Sequence, residues 1–429
     1  MPYRYLSRLS TTGIRLGLDR VKGLLERLGC PQDDYRAVII AGTNGKGSVA
    51  AMTASILKTA GFRTGLYTSP HLLDVRERIQ IDGKLISKSD MSDCIRKVRQ
   101  KIIGDVTYFE FLTAIAFLYF SEKKVDIAIL EVGMGGRLDA TNVVDAAICA
   151  ITNMALEHTS YLGATLEDIA KEKGAIIPYG GICITAAKQK KVLRVLEEIC
   201  CKRHAVLYRI GKNIRLRRQA DGSFSWYGPG MTIRHFTCSL MGDYQQENMA
   251  IAIELVSVLG SVGFKADEED IRGGLRSVHW EGRLEVLGES PRFVVDGAHN
   301  PAAVGALCRS LKSLFHFKRL IVIFGVLLDK DVHGMINRLA SIADLLILTD
   351  PPTERARRAD HYAAYASSRC RVEIHHNPSD ALQRAYSLAK ANDLICATGS
   401  LYLVGELKKF FSFRACCDNR LGYGQIAAK

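Results

Sequence analysis

Residues 38–48 read VIIAGTNGKGS, an apolar run that breaks into three glycines, a lysine and a serine. The generic phosphate-binding loop places a glycine five residues before Gly-Lys-[Ser/Thr]. Here Ile40 occupies that place, and Gly47 separates Lys46 from Ser48. The stretch is therefore a degenerate nucleotide site, a nucleotide site of another kind, or only a tight turn. A strand over Ala37–Ile40, the glycine loop and a helix from Ser48 to about Ala60 come in the order that gathers backbone N–H groups at a helix N-terminus, which attracts phosphate. Lys46 adds a mobile positive charge, and Thr43 or Ser48 offers a hydroxyl. The bland alternative is a glycine-rich connection with a solvated lysine.

Outward from this loop the chain keeps an alternating rhythm. Val49, Met52, Ile56 and Leu57 share one face of the helix, and Gly61 suits its C-cap. An apolar helix near Phe109–Phe120 and strands over Val125–Val132 and Ala146–Thr152 follow. From Val206 to Leu240 short alternating runs are divided by Asp221-Gly222 and Gly228-Pro229-Gly230, which predicts a small antiparallel patch. A helix over Gln246–Leu259 comes next. Strands at Arg292–Val295, Leu320–Phe324, Leu345–Leu348 and Leu394–Ala397 then restart the α/β pattern. The expected fold is α/β: a P-loop-type, mostly parallel sheet domain over 1–286 carrying the antiparallel patch, and a smaller Rossmann-like α/β domain over 290–429, with the boundary near Glu285 to Ser290.

Length and composition bound the function. A chain of 429 residues, 48% hydrophobic and 24% charged, is long enough for two globular domains and is not disordered. The N-terminal stretch lacks a continuous apolar segment, so no signal peptide is read. The longest apolar runs, such as Leu320–Leu328, fall short of the ~18 residues that span a bilayer. Twelve cysteines are scattered without a C-x-x-C; the vicinal pairs Cys200-Cys201 and Cys416-Cys417 have no metal-ligand spacing. A soluble protein of the reducing cytoplasm, without structural zinc, is expected. The net charge of +13 suits nucleic acid or anionic small substrates. Basic residues are dispersed apart from Arg215–Arg218 and Lys188–Lys191, and no module that reads nucleic acid is visible, which favours small anions.

Further residues could carry chemistry. Glu131 ends an apolar strand, where ligands bind in open α/β sheets, and a carboxylate there suits Mg²⁺. The plain alternative is a pair with Arg137. His158 follows the next strand, and Lys173 lies about fifteen residues on; either alone reads as structural. Asp296 closes another strand, in VVDGAHNPAA (294–303).

Taken together, these pieces resemble the folylpolyglutamate synthase/dihydrofolate synthase family within the Mur ligases. The matching segments are GTNGKGS (42–48), TSPHL (68–72), ERIQIDG (77–83), TYFE (107–110), EVGMGGRLDATN (131–142), the His158 segment, EGRLE (281–285), DGAHNP (296–301) and TGSLYLVGEL (399–407). They run in order over nearly the whole chain. The resemblance implies a monomeric ATP-dependent ligase in which a substrate carboxylate becomes an acyl phosphate and L-glutamate attacks it. The acceptors would be dihydropteroate and reduced folates. It implies ATP, two Mg²⁺ sites and a carboxylated Lys173, leaves room for K⁺, and implies neither nucleic acid nor membrane as a partner.

Residue by residue, Asn44, Gly45, Lys46, Gly47 and Ser48 match the triphosphate cradle, with Lys46 catalytic. Ser69, Glu131 and His158 match the metal ligands, and Asn248, Arg283 and Asp296 match ATP contacts. Thr107, Tyr108, Phe109 and Glu110, with Leu138, Asp139 and Ala140, match the pterin region. Lys173 matches a lysine carboxylated by CO₂, and His299 is expected to contact phosphate or glutamate. Three positions depart from the family pattern: residues 172–176 read Glu-Lys-Gly-Ala-Ile where Glu-Lys-Ala-Gly-Ile is usual, Glu157 replaces aspartate, and Tyr244 replaces histidine. Competing readings are chain extension of folates alone, a UDP-muramyl peptide ligase, and a nucleic-acid-stimulated NTPase.

Overall fold

The structure is a computed structural model that describes residues 2–9, 13, 15–366 and 369–418, and side chains in the last helix as far as Phe411. It divides into two compact units, 1–239 with 245–280, and 240–244 with 281–429.

The first unit holds an eight-stranded sheet: β1 (Arg36–Ala41), β2 (Thr64–Tyr67), β3 (Ile79–Ile81), β4 (Lys84–Leu85), β5 (Ile127–Glu131), β6 (Ile148–Ile151), β7 (Ile182–Thr185) and β8 (Val206–Arg209), in the order β4-β3-β2-β5-β1-β6-β7-β8. From β2 to β8 the pairs are parallel; β3 and β4 close one edge antiparallel. β1 is fully buried beyond its first residue because it is central and covered on both faces. One face packs the Tyr108–Glu122 helix, with Phe111, Phe117 and Phe120 wholly buried. Helices Leu166–Gly174 and Lys190–Lys202 extend that layer beyond β6. Lys46–Thr59 and Gln245–Leu259 cover the strands as well, and both are buried on most sides.

The expected antiparallel patch is smaller than its sequence signals. Val206–Arg209 joins the large sheet in parallel with β7, leaving β9 (Arg215–Arg218), β10 (Phe224–Gly228) and β11 (Met231–Phe236) as the three-stranded sheet. Hairpin residues mark turns, but they do not fix which sheet the preceding strand enters.

The second unit carries β12 (Glu285–Glu289), β13 (Arg292–Val295), β14 (Leu320–Phe324), β15 (Leu345–Leu348), β16 (Arg371–Ile374) and β17 (Leu394–Thr398), ordered β12-β13-β17-β14-β15-β16. Only β12 is antiparallel. The division falls between Trp280 and Glu281 rather than at Glu285 to Ser290, because Glu285–Glu289 is the edge strand β12, paired with β13. Residues 240–244 also belong to this unit. Among the described residues, the ten cysteines are free thiols; the side chains of Cys416 and Cys417 lie outside them. No helix among the described residues is long and apolar enough to cross a membrane.

Candidate functional site

The parallel strands β2, β5, β1 and β6 are neighbours, and their carboxyl ends lead into the segments with Ser69, Glu131, the glycine loop and His158. Such an edge is where open α/β sheets take ligands. Thr43 and Asn44 donate their N–H groups to the carbonyl (2.8 Å) and side-chain oxygen (3.0 Å) of Asn153, and Thr152 Oγ1 donates to the Asn44 carbonyl (2.7 Å). The loop is thus tied to the segment after β6. A helix begins at Lys46, so the N–H groups of Lys46, Gly47 and Ser48 have no carbonyl a turn earlier in the helix, the arrangement that attracts an anion.

Two glycines are required by this close approach. Gly42 has φ +141° and a Cβ there would lie 1.8 Å from Thr152 Oγ1. Gly45 has φ +87° and its Cβ would lie 2.3 Å from Asn248 Oδ1. Asn248 in turn donates to Gln245 Oε1 (2.7 Å), and Gln245 Nε2 donates to Ser48 Oγ (3.4 Å). The structure therefore brings Asn248 onto the loop.

Two lysines meet at one carbonyl. Lys46 Nζ donates to Gly42 O and Thr43 O, both at 3.2 Å, and Lys173 Nζ donates to Gly42 O at 2.7 Å. Lys173 is 5% exposed. Its burial, and then the Lys46 charge, lower its pKa to about 7, against the opposite pull of Glu157 and Asp139. Near neutral pH it therefore holds a large neutral fraction, the form that can take up CO₂.

Glu131 ends β5 level with Ile40 of β1, and its Oε2 accepts the Ser69 N–H at 2.9 Å. His158 caps a short helix with φ +53°, its Nε2 3.8 Å from Glu157 Oε1. Among the described residues no group of three or more His, Cys, Asp or Glu could hold a metal. The trio Ser69, Glu131 and His158 has two such side chains, so phosphate and water must complete any shell around a divalent ion. That donor set fits Mg²⁺ in its carboxylate, while an imidazole suits a softer ion better.

The residues expected to meet a pterin divide into two groups. Thr107 and Glu110 form a capping box: Thr107 N–H donates to Glu110 Oε2 (2.8 Å), and Glu110 N–H to Thr107 Oγ1 (3.3 Å). Glu110 also takes an ion pair from Arg20 at 2.9 Å. Asp139 accepts from the N–H groups of Met134 (2.9 Å) and Thr141 (3.0 Å) and from Thr141 Oγ1 (2.7 Å). Burial nonetheless raises its pKa. These carboxylates hold the fold locally. Tyr108, Phe109 and Leu138 are half-buried and Ala140 is buried. Phe109 lies 6.0 Å from Tyr67, ring to ring, over Gly133, whose Cβ would fall 2.6 Å from Phe109 Cζ.

In the second unit Asp296 accepts from Tyr244 Oη (2.7 Å) and the N–H groups of Leu284 (2.9 Å) and Ala298 (2.8 Å). Arg283 packs on Gly297, whose Cβ would meet its guanidinium at 2.3 Å. His299 Nδ1 lies 2.9 Å from Gly297 O, and Asn300 caps the Pro301–Leu314 helix. Arg283, Asp296 and His299 are thus gathered at the carboxyl end of β13, with Asp296 engaged by its own unit.

The Mur ligase middle-domain family matches residues 40–256, and the Mur ligase glutamate ligase domain matches residues 282–401. The dihydrofolate synthase/folylpolyglutamate synthase of Bacillus subtilis is 35% identical over 92% of this chain and 95% of its own length. The chain belongs to the folylpolyglutamate synthase/dihydrofolate synthase family of Mur ligases. A Halobacterium salinarum relative, named a probable bifunctional folylpolyglutamate synthase/dihydropteroate synthase, is 36% identical, and this chain spans about half of it (50%). Among solved structures, Escherichia coli FolC in complex with DHPP and ADP superposes with a TM-score of 0.90 at 30% identity, covering 96% of this chain and 98% of that one. The bifunctional Yersinia pestis synthase complexed with AMPPNP and a Mn ion gives 0.87 at 30% identity over 96% and 97%.

Within this family, two of the three departures have local structural accounts. Tyr244 places its hydroxyl on Asp296. Gly174, where alanine is usual, faces Ile199, whose Cδ1 would lie 2.5 Å from a Cβ. Sequence reasoning assigned no role to His71, Arg78, Asn153 or Trp280, although the first two sit inside the quoted TSPHL and ERIQIDG segments. Trp280 Cζ2 lies 2.9 Å from where a Gly47 Cβ would stand.

Proposed function

We propose that this protein is an ATP-dependent ligase that adds L-glutamate to dihydropteroate and to reduced folates. The observation that carries this reading is the glycine loop opening the Lys46–Thr59 helix, with Asn248 and Lys173 on the loop and Glu131 at the end of the neighbouring strand. Gly45, Lys46, Gly47 and Ser48 cradle the triphosphate of ATP through backbone N–H groups, and Asn44 shapes the loop through its ties to Thr152 and Asn153. Lys46 swings from the Gly42 and Thr43 carbonyls to the β/γ-phosphates. Asn248, Arg283 and Asp296 are assigned to ATP. Bound Mg²⁺, held by Ser69, Glu131 and His158, supplies neutralisation of phosphate charge.

A free carboxylate is a poor electrophile. One of its oxygens attacks the γ-phosphorus and the bond to the β-phosphate oxygen breaks, giving an acyl phosphate and ADP. The glutamate amine attacks the acyl carbon and loses a proton, and the C–O bond to phosphate breaks with its electron pair. Positioning and charge neutralisation are the protein's contributions. Tyr108, Phe109, Leu138 and Ala140 offer the pterin a half-apolar wall, while Thr107, Glu110 and Asp139 keep that wall in place. Lys173 is read as carboxylated, its neutral amine adding CO₂ and releasing a proton. His299 is assigned to phosphate or glutamate. A cytoplasmic monomer is the matching solution state.

The test is ADP release with Mg-ATP and L-glutamate against dihydropteroate, tetrahydrofolate, a UDP-muramyl peptide and single-stranded DNA. Turnover with both pteridines is expected. Tetrahydrofolate alone would reduce the activity to chain extension, and turnover only with the other two would overturn the reading. Lys46→Ala should fold normally and keep less than about a tenth of kcat, a barrier change above ~1.4 kcal/mol.

A further inference from the structure

Arg78 is 7% exposed. Its Nε donates to His71 Nδ1 at 2.8 Å, and its Cζ stands 5.5 Å from the centre of the Tyr108 ring. No carboxylate of the described residues pairs with it. The three acids within four residues of it are engaged elsewhere, Asp82 by the Thr64 N–H (2.9 Å). Asp74 binds Arg76 through both side chain (2.7 Å) and backbone (2.9 Å). Glu77 accepts the N–H groups of Leu72 (2.7 Å), Leu73 (3.0 Å) and Asp74 (2.7 Å).

A buried guanidinium with five donors and no anion is costly unless a charge arrives to meet it. His71 cannot supply one. It is an imidazole that meets the guanidinium only through its acceptor Nδ1. The surroundings suit an aromatic acid. Tyr108 offers a ring face to the cation, and Tyr67 has Arg78, Tyr108 and Asp139 as its charged or titratable neighbours. Tyr67 in turn packs against Phe109.

Resting on the ligase reading above, we propose that Arg78 binds a carboxylate of the acceptor substrate, with His71 orienting the guanidinium and Tyr108 forming its platform. The planar fork of arginine matches a carboxylate through two parallel N–H donors, which no lysine reproduces. The anion is the benzoate-type carboxylate in a pteroate and a glutamyl carboxylate in a folate.

Binding of pteroic acid and of its carboxamide to the full chain, followed by calorimetry, tests this in wild type, Arg78→Gln and Arg78→Lys. Wild type should prefer the acid by about tenfold or more, and Arg78→Gln should bind both within about twofold. Folded Arg78→Lys should keep a preference reduced about threefold or more, and it decides the matter should the glutamine variant fail to fold. An undiminished preference in the variants, or equal binding of acid and amide by wild type, overturns the proposal while leaving the ligase reading intact. If wild type binds neither compound, the ligase reading falls and this inference with it.

Discussion

At the scale of single residues, the Gly42 carbonyl concentrates the site's electrostatics. Lys173 and Lys46 both donate to it, and neither gains a carboxylate there. Lys173 is a lysine whose folded pKa, about 7, lies below its ordinary value of 10.5. Between those values the unfolded chain binds more protons, so this group's contribution to stability improves as pH rises from about 7 and is poorest below it. The neutral amine grows over the same range. Uptake of CO₂ at Lys173, read as the mass of one added CO₂ in bicarbonate, should therefore be small at pH 6 and increase through pH 7 to 8. Full activity in Lys173→Ala would count decisively against a functional carbamate. The sequence showed this lysine only as a family match. Its depressed pKa depends on burial against a carbonyl 131 positions away in the chain, and no local pattern encodes that.

At the scale of elements, Gln245–Leu259 shows how one helix serves both site and core. Its first turns place Gln245 and Asn248 on the glycine loop. Further along, Glu254 is 1% exposed and its Oε2 has no hydrogen-bond partner. Burial alone raises its pKa to about 7, from an ordinary 4.5. The sign of the effect is clear: between pH 4.5 and 7 the folded state binds the extra proton, so stability falls as pH rises through this window and stays low above it. Glu254→Gln should therefore stabilise the protein at pH 8, by about 1–3 kcal/mol, and lose that advantage at pH 4. Thermal melts at the two pH values check it; an equal shift at both would mean that packing, not titration, is responsible. Among the strands the sequence did not reveal, β12 and β16 are edge strands with partly exposed residues, so they lack the apolar runs that betrayed the central strands, while β2 and β7 are interior strands of only four residues.

At the scale of the whole molecule, the chain is not cut once. Residues 240–244 belong with 281–429, where Asp243 N–H donates to Ser310 Oγ (2.9 Å), Ser313 Oγ donates to Asp243 (2.7 Å) and Tyr244 donates to the buried Asp296 (2.7 Å). A fragment of 281–429 should therefore melt lower than one in which 240–244 is joined ahead of it by a flexible linker, since buried Ser310 and Asp296 lose partners worth about 1–3 kcal/mol each. Equal melting of the two fragments would remove that segment from the second unit. The sequence alone determined the strand–loop–helix order, the α/β class, the two-unit plan and the family, because periodicity and glycine spacing are local and the motifs are contiguous. It could not tell that Thr107, Glu110 and Asp139 turn inward to hold the backbone, nor that Arg78 is buried without an anion. Those outcomes depend on which donors and acceptors distant segments leave available, and only the packed tertiary structure decides them.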